Sequence, residues 1–222
     1  QQIIAVHLKA PLSGWTSDRY IISKLPGILT VKGGTDRIIE YFGDGTKSIS
    51  CTGKATITNM GAELGATCSL FPFDDRMATF LKATKREDLA KLAEQNADLL
   101  VADKEVLKDP IKYYDQVIEI DLDTLEPHLV GPHTPDLAHA VSEMKSEAEK
   151  NQWPTKLSAA LIGSCTNSSY EDIGRATFVA KQALAAGLKM PQTFMVSPGS
   201  AQIKNTIERD GLLADFEGIG GQ

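Results

Sequence analysis

The sequence is short of sulfur, of long apolar runs and of positive charge, and each shortage removes a class of function. Three cysteines, Cys51, Cys68 and Cys165, are spread over 222 residues. An odd, sparse set is no disulfide framework, and it fits a reducing compartment, the cytoplasm or mitochondrial matrix. No two of them make a Cys-x-x-Cys, so local spacing builds neither a zinc site nor a thioredoxin-like one. The four histidines form no ligand set: His128, His133 and His139 gather in one region, but no His-x-x-x-His occurs. A net charge of −6 speaks against nucleic acid as a partner, because phosphate binding needs a basic footprint. No apolar run is long enough to cross a bilayer, and no membrane partner is expected. The opening residues Gln1-Gln2-Ile3-Ile4 have no Met, no basic region and no signal-like stretch, and read as processed or cut from something longer.

What is present suits a soluble globular protein. Apolar residues make up 42%, enough for a sizeable core, and the 23% of charged residues is ordinary. At about 100–200 residues per domain, the length allows one large domain or two small ones.

The patterning predicts an α/β protein. Ile3–Lys9 reads as a strand. Thr16-Ser17-Asp18 can cap a helix running to Leu25, which Pro26-Gly27 interrupts. Ile38–Phe42 is a short helix or strand. Gly53–Ala66, Asp74–Lys82 and Arg86–Leu100 read as helices, Lys104–Lys112 as a loop and Tyr114–Asp121 as a strand. The prolines of Leu125–Pro135 mark a candidate linker. Beyond it come a helix at Asp136–Lys150, a strand at Lys156–Gly163, a helix at Ser169–Ala186, a strand at Gln192–Val196 and a helix at Ser200–Asp210. Strands alternating with helices argue for a parallel sheet.

The sharpest chemical feature is Gly163-Ser164-Cys165-Thr166-Asn167-Ser168. An apolar strand ends there and a helix begins near Tyr170, so Cys165 is expected at the carboxyl end of a parallel strand, where ligand sites of open α/β sheets lie. The helix N-terminus would favour thiolate over thiol. Nucleophile, redox sensor and metal ligand all fit. A lone cysteine is more often a small buried residue. The hydroxyls and amide around this one favour a bound anion or cluster. A second feature is Asn59 and Glu63, four apart and expected on one helix face, with Gly61 and Gly65 permitting close backbone approach. An acid and an amide together can bind a hydroxylated substrate, although such a pair alone is more often a solvated face.

At these residues the chain resembles the aconitase family. The matching words are Leu-Thr-Val-Lys-Gly33-Gly34-Thr35, then Ser48-Ile49-Ser50-Cys51-Thr52-Gly53, then Asn59-Met60-Gly61-Ala62-Glu63. Gly131-Pro132-His133-Thr134-Pro135-Asp136, Ile162–Glu171 and Thr206-Ile207-Glu208-Arg209-Asp210-Gly211 follow in family order. The resemblance runs nearly the whole chain. It implies citrate and isocitrate interconversion through cis-aconitate, on a 4Fe–4S cluster with one open iron acting as Lewis acid. It makes Cys165 the first of three thiolate ligands, Asn59 a residue near the cluster, and Glu63 the acid that hydrogen-bonds the iron-bound water or substrate hydroxyl. The other two ligands belong to a later Cys-x-x-Cys that this sequence lacks. Cys51 and Cys68 do not replace it, and one thiolate does not hold a cubane.

The fold expected is two three-layer α/β units of the aconitase type: residues 1–126 a complete domain, residues 127–222 the first part of a second, truncated and bearing the cysteine loop. The function expected is that of a portion of an aconitate hydratase-like hydro-lyase, inactive alone, with a small tricarboxylate substrate and the remaining aconitase domains as partners and no DNA. The alternatives are a cluster-free aconitase-derived structural or binding subunit, or a homoaconitase or methylcitrate-type relative. A sheet cut short would expose an edge and an apolar face, so the isolated chain is expected to aggregate or pair.

Overall fold

The computed structural model describes residues 2–164 and 166–222. The chain divides into two compact units, Gln1–Glu147 and Ala148–Gln222.

The first unit is built on a parallel sheet of order β3-β2-β1-β4. Strand β1 (Gln2–Lys9) is buried on both faces at its centre, Ile4, Ala5 and Val6. Helix α1 (Arg19–Leu29) follows and holds Pro26 within its span. Next come β2 (Arg37–Phe42), α2 (Cys51–Met60) and the short β3 (Cys68–Leu70). Helices α3 (Asp75–Ala83), α4 (Glu87–Gln95) and α5 (Lys104–Lys108) lead to β4 (Gln116–Asp121), which returns to pair beside β1. One face of the sheet, with Ile4, Val6, Leu8, Ile39 and Tyr41, packs on Ile21, Ile22 and Leu25 of α1 and Ile57 of α2. The other face carries Ala5 and Phe42 under Tyr114 and Val106. The sheet is therefore covered by helices α1 and α2 on one face and, on the other, in part by Tyr114 and by Val106 of α5.

Several expected boundaries move. Residues 104–108 are a helical turn rather than loop. The helix expected over 53–66 starts at Cys51, capped by the Ser50 hydroxyl on the Gly53 N–H at 3.0 Å, and tightens to a 3₁₀ turn over Gly61–Leu64. The stretch expected as a linker forms an antiparallel pair, β5 (His128–Val130) with β6 (Ala138–Ala140). That hairpin packs on α1: a side-chain oxygen of Asp136 accepts the Val31 N–H at 2.6 Å, and Gly27 leaves room for Ala138. The compact first unit thus runs past the expected boundary at 126, to Glu147. The following helix, α6 (Met144–Asn151), begins eight residues later than the pattern from Asp136 suggested.

In the second unit β7 (Ala159–Gly163) pairs in parallel with β8 (Thr193–Ser197), linked by the 16-residue α7 (Tyr170–Ala185). Helices α8 (Ala201–Arg209) and α9 (Leu212–Gly218) follow. Ile173, Ile207 and Phe216 of these helices meet Phe194, Ile162 and Val196 on one sheet face. Leu161 and Met195 stand exposed, on the alternate positions. Gln222 adds to the edge of β8, its N–H donating to Phe194 O at 2.9 Å and its carbonyl accepting from Val196 at 2.8 Å.

Candidate functional site

The cysteine loop begins where β7 ends. Gly163 lies so close to β8 that an added Cβ would come within 2.6 Å of Ser197 O, which keeps this position to glycine. The Ser164 hydroxyl accepts the N–H groups of Thr166 at 3.2 Å and Asn167 at 2.7 Å. Ser168, buried, accepts the Ser164 N–H on its own hydroxyl at 2.6 Å. Its carbonyl takes the N–H of Gly199 at 3.2 Å. Ser169 then caps α7 in a reciprocal box with Asp172. Backbone donors on both sides of residue 165 are thus satisfied by serine hydroxyls. Cys165 itself lies outside the described residues.

Asn59 and Glu63 occupy the first unit, both exposed. Asn59 is in the last turn of α2 and Glu63 in the 3₁₀ turn after it. Four residues of α-helix return a side chain to within roughly 40° of its start, and four of 3₁₀ displace it by roughly 120°. The shared stripe read from i, i+4 spacing is therefore splayed by the tightening at Gly61. That tightening is held from outside. Gly61 sits against the Ser69 hydroxyl, with no room for a Cβ. Gly65, at φ +76°, closes the turn against Thr35. Gly34 donates to Leu64 O at 2.9 Å, and Thr35 bridges to Ala66. Two sequence words thirty residues apart, around Gly33-Gly34-Thr35 and around Glu63, thus form one backbone-braced corner.

The other cysteines do not offer a cluster site. Cys51 is half-buried in the first turn of α2, and burial pushes its thiol up, against the pull of Lys54. Cys68 is exposed on β3. Among the described residues no three His, Cys, Asp or Glu side chains gather as metal ligands. A cubane needs several thiolates converging on it, so the described donor set does not fit a 4Fe–4S group.

The sequence reading missed a pocket of about 570 Å³ at the carboxyl ends of β1, β2 and β3. Its polar lining includes His7 and Glu40, which alternate with core residues along their strands. A charged residue inside an apolar strand was the available signal.

A parallel α/β sheet, followed by a strand, a loop braced by serine hydroxyls and a helix, is an open α/β architecture. The aconitase family model, described as aconitate hydratase, matches residues 1–222, and the chain belongs to that family. It is 53% identical over 220 residues to a mitochondrial aconitate hydratase of Gracilaria gracilis, covering 99% of this chain and 28% of that one. It is 55% identical over 221 residues to the mitochondrial aconitate hydratase of Candida albicans, again covering 99% and 28%. A probable mitochondrial aconitate hydratase of Dictyostelium discoideum is 51% identical over 220 residues, with 99% and 28% covered. The chain thus spans little more than a quarter of the length of these relatives. A crystal structure of Thermococcus kodakaraensis aconitase X, holo-form, aligns at 13% identity and a TM-score of 0.47, over 100% of this chain and 42% of that one, too slight a likeness to build on.

Proposed function

We propose that these residues are a portion of an aconitate hydratase-like hydro-lyase that isomerises citrate and isocitrate through cis-aconitate within a longer polypeptide. The identity of 51–55% across 99% of the chain to aconitate hydratases carries this reading. In it, Glu63 is the carboxylate that hydrogen-bonds the hydroxyl being removed or added, and Asn59 is its polar neighbour. The rigid corner between Gly34 and Leu64 supports such a role, because a catalytic carboxylate acts only when held in place. Cys165 is a thiolate ligand of a 4Fe–4S cluster whose other ligands come from outside these residues. When bound, the cluster supplies Lewis-acid polarisation of the leaving hydroxyl. The hydrogen bonds of Ser164, Thr166, Asn167 and Ser168 support a ligand loop formed before the metal arrives. The substrate is a small tricarboxylate, and the compartment is the mitochondrial matrix or the cytoplasm. No described helix is long and apolar enough to cross a membrane.

The test is cis-aconitate hydration by a polypeptide extended to the length of the relatives. Glu63→Gln is expected to lower kcat by about 10²–10⁴-fold while the iron content stays. Cys165→Ser is expected to remove the visible cluster absorption. Absence of hydration in the extended, cluster-loaded protein would sink the proposal.

A further inference from the structure

Glu63 is exposed in a turn whose flanking residues are anchored. Met60 and Leu64 are buried in the core on either side of it, while Ala62 and Glu63 are exposed. Backbone bonds close the turn: the Gly65 N–H donates to Ala62 O at 3.0 Å and the Ala66 N–H to Gly61 O at 3.2 Å. Two residues before Glu63, the Ser69 hydroxyl lies directly against Gly61.

Both partners of that contact run against stability. Gly61 has φ −56° and ψ −26°, an ordinary helical conformation. The backbone there has no need of glycine, and alanine is the more stable residue in a helical conformation. Ser69 Oγ is buried, and among the described residues it has no hydrogen-bond partner. A buried hydroxyl without a partner carries a desolvation cost that nothing offsets. The two features meet, because a Cβ on Gly61 would come within 2.3 Å of Ser69 Oγ. Glycine at 61 therefore serves close approach and not chain conformation. Ser69 is also well fixed. It is the middle residue of β3, in register with the buried Ile39 of β2. Just before it, the Thr67 N–H donates to Arg37 O at 2.9 Å. The hydroxyl thus carries the position of the sheet to the turn that presents Glu63.

We infer that Ser69 is a positioning residue for Glu63: its hydroxyl, seated on Gly61, sets where the turn holds the carboxylate relative to the sheet. The inference rests on the role proposed above for Glu63 in the hydration. Ser69 acts through the turn, since its own hydroxyl is buried. A reacting group misplaced by about 1 Å loses up to about a hundredfold in rate, so a contact that fixes its height bears on kcat.

The test is cis-aconitate hydration by the extended, cluster-loaded polypeptide, with kcat and KM separated and rates normalised to iron content. Gly61→Ala is expected to lower kcat by about 30–100-fold with KM within about twofold, because the turn must move by about 1 Å to clear Ser69 Oγ. Ser69→Ala is expected to lower kcat by about fivefold or more, and to melt no lower than the parent, since no hydrogen bond is lost. Combining the two is expected to return kcat to within about twofold of the parent. The new methyl then takes the vacated space, with the Cβ of position 69 at 3.4 Å. If Gly61→Ala does not fold, Ser69→Ala and the double variant decide. A role in stability alone gives the opposite pattern, a lower melting temperature in Ser69→Ala with kcat unmoved, and would overturn the inference. A double variant no faster than Ser69→Ala would overturn it as well. In both cases Glu63→Gln still lowers kcat; a parental kcat in Glu63→Gln would instead remove the reading of Glu63, and this inference with it.

Discussion

Glycine in a helix normally costs about 1 kcal/mol against alanine, so Gly53→Ala in α2 would be expected to stabilise. Here the sign reverses. A Cβ at Gly53 would collide with the buried Asp18 carboxylate and come within 3.0 Å of Ile49. Gly53→Ala is expected to destabilise by about 1–3 kcal/mol in a urea melt. Lys54, one residue on, is 2% exposed and paired with Asp74, whose other oxygen caps α3 by accepting the Met77 N–H at 3.1 Å. Lys54→Ala is expected to cost about 3–5 kcal/mol, because it strands a largely buried carboxylate. The double change Lys54→Met with Asp74→Asn is expected to recover most of that loss; a double-mutant cycle without coupling would contradict the pairing. Glu40 gives a pH signature. Its carboxyl holds its proton above the ordinary value of 4.5, chiefly through burial and against the hydrogen bond from Tyr114. Its contribution is therefore full below 4.5 and lost as the pH rises through the folded value. Relative to Glu40→Gln, the parent chain should lose stability on raising the pH above 4.5, and a pH-independent difference would exclude the effect.

At the scale of elements, what was legible followed hydrophobic period and length. β1, β4, β7 and α7 were read closely because each holds its pattern for five residues or more. The three-residue strands β3, β5 and β6 are too short for a period to register. They form through tertiary partners, such as the Val31 N–H on Asp136 that seats the β5–β6 hairpin. Proline misled in both directions: Pro26 sits inside α1, while the proline-rich stretch after Leu125 folds as a hairpin. The candidate site divided likewise. Its residue types and its strand–loop–helix setting were visible, but the 3₁₀ turn between Asn59 and Glu63 is packed against Ser69 of the next strand and Thr35, nearly thirty residues earlier. The pocket was hidden because His7 and Glu40 belong to strands otherwise read as core. The cysteine loop supplies a stability test: Ser169→Ala removes the cap of α7 and is expected to cost about 1 kcal/mol, read from the denaturation midpoint.

At the scale of the whole chain, the four-stranded sheet carries packed residues on both faces and the β7–β8 sheet on one. Leu161 at 57% and Met195 at 43% exposure mark the bare face of β7 and β8. The 222-residue chain is expected to self-associate in size-exclusion chromatography, shifting with concentration. A monodisperse, cooperatively melting monomer would contradict that. Membership of the aconitase family and a donor set that does not fit a cubane meet in one experiment: iron and sulfide content, with a visible spectrum, after anaerobic reconstitution of this chain. The arrangement of Cys51, Cys68 and the described acids and histidines predicts no stoichiometric 4Fe–4S signal. A stoichiometric signal, lost in Cys165→Ser, would contradict it and show that these residues complete the cluster by themselves.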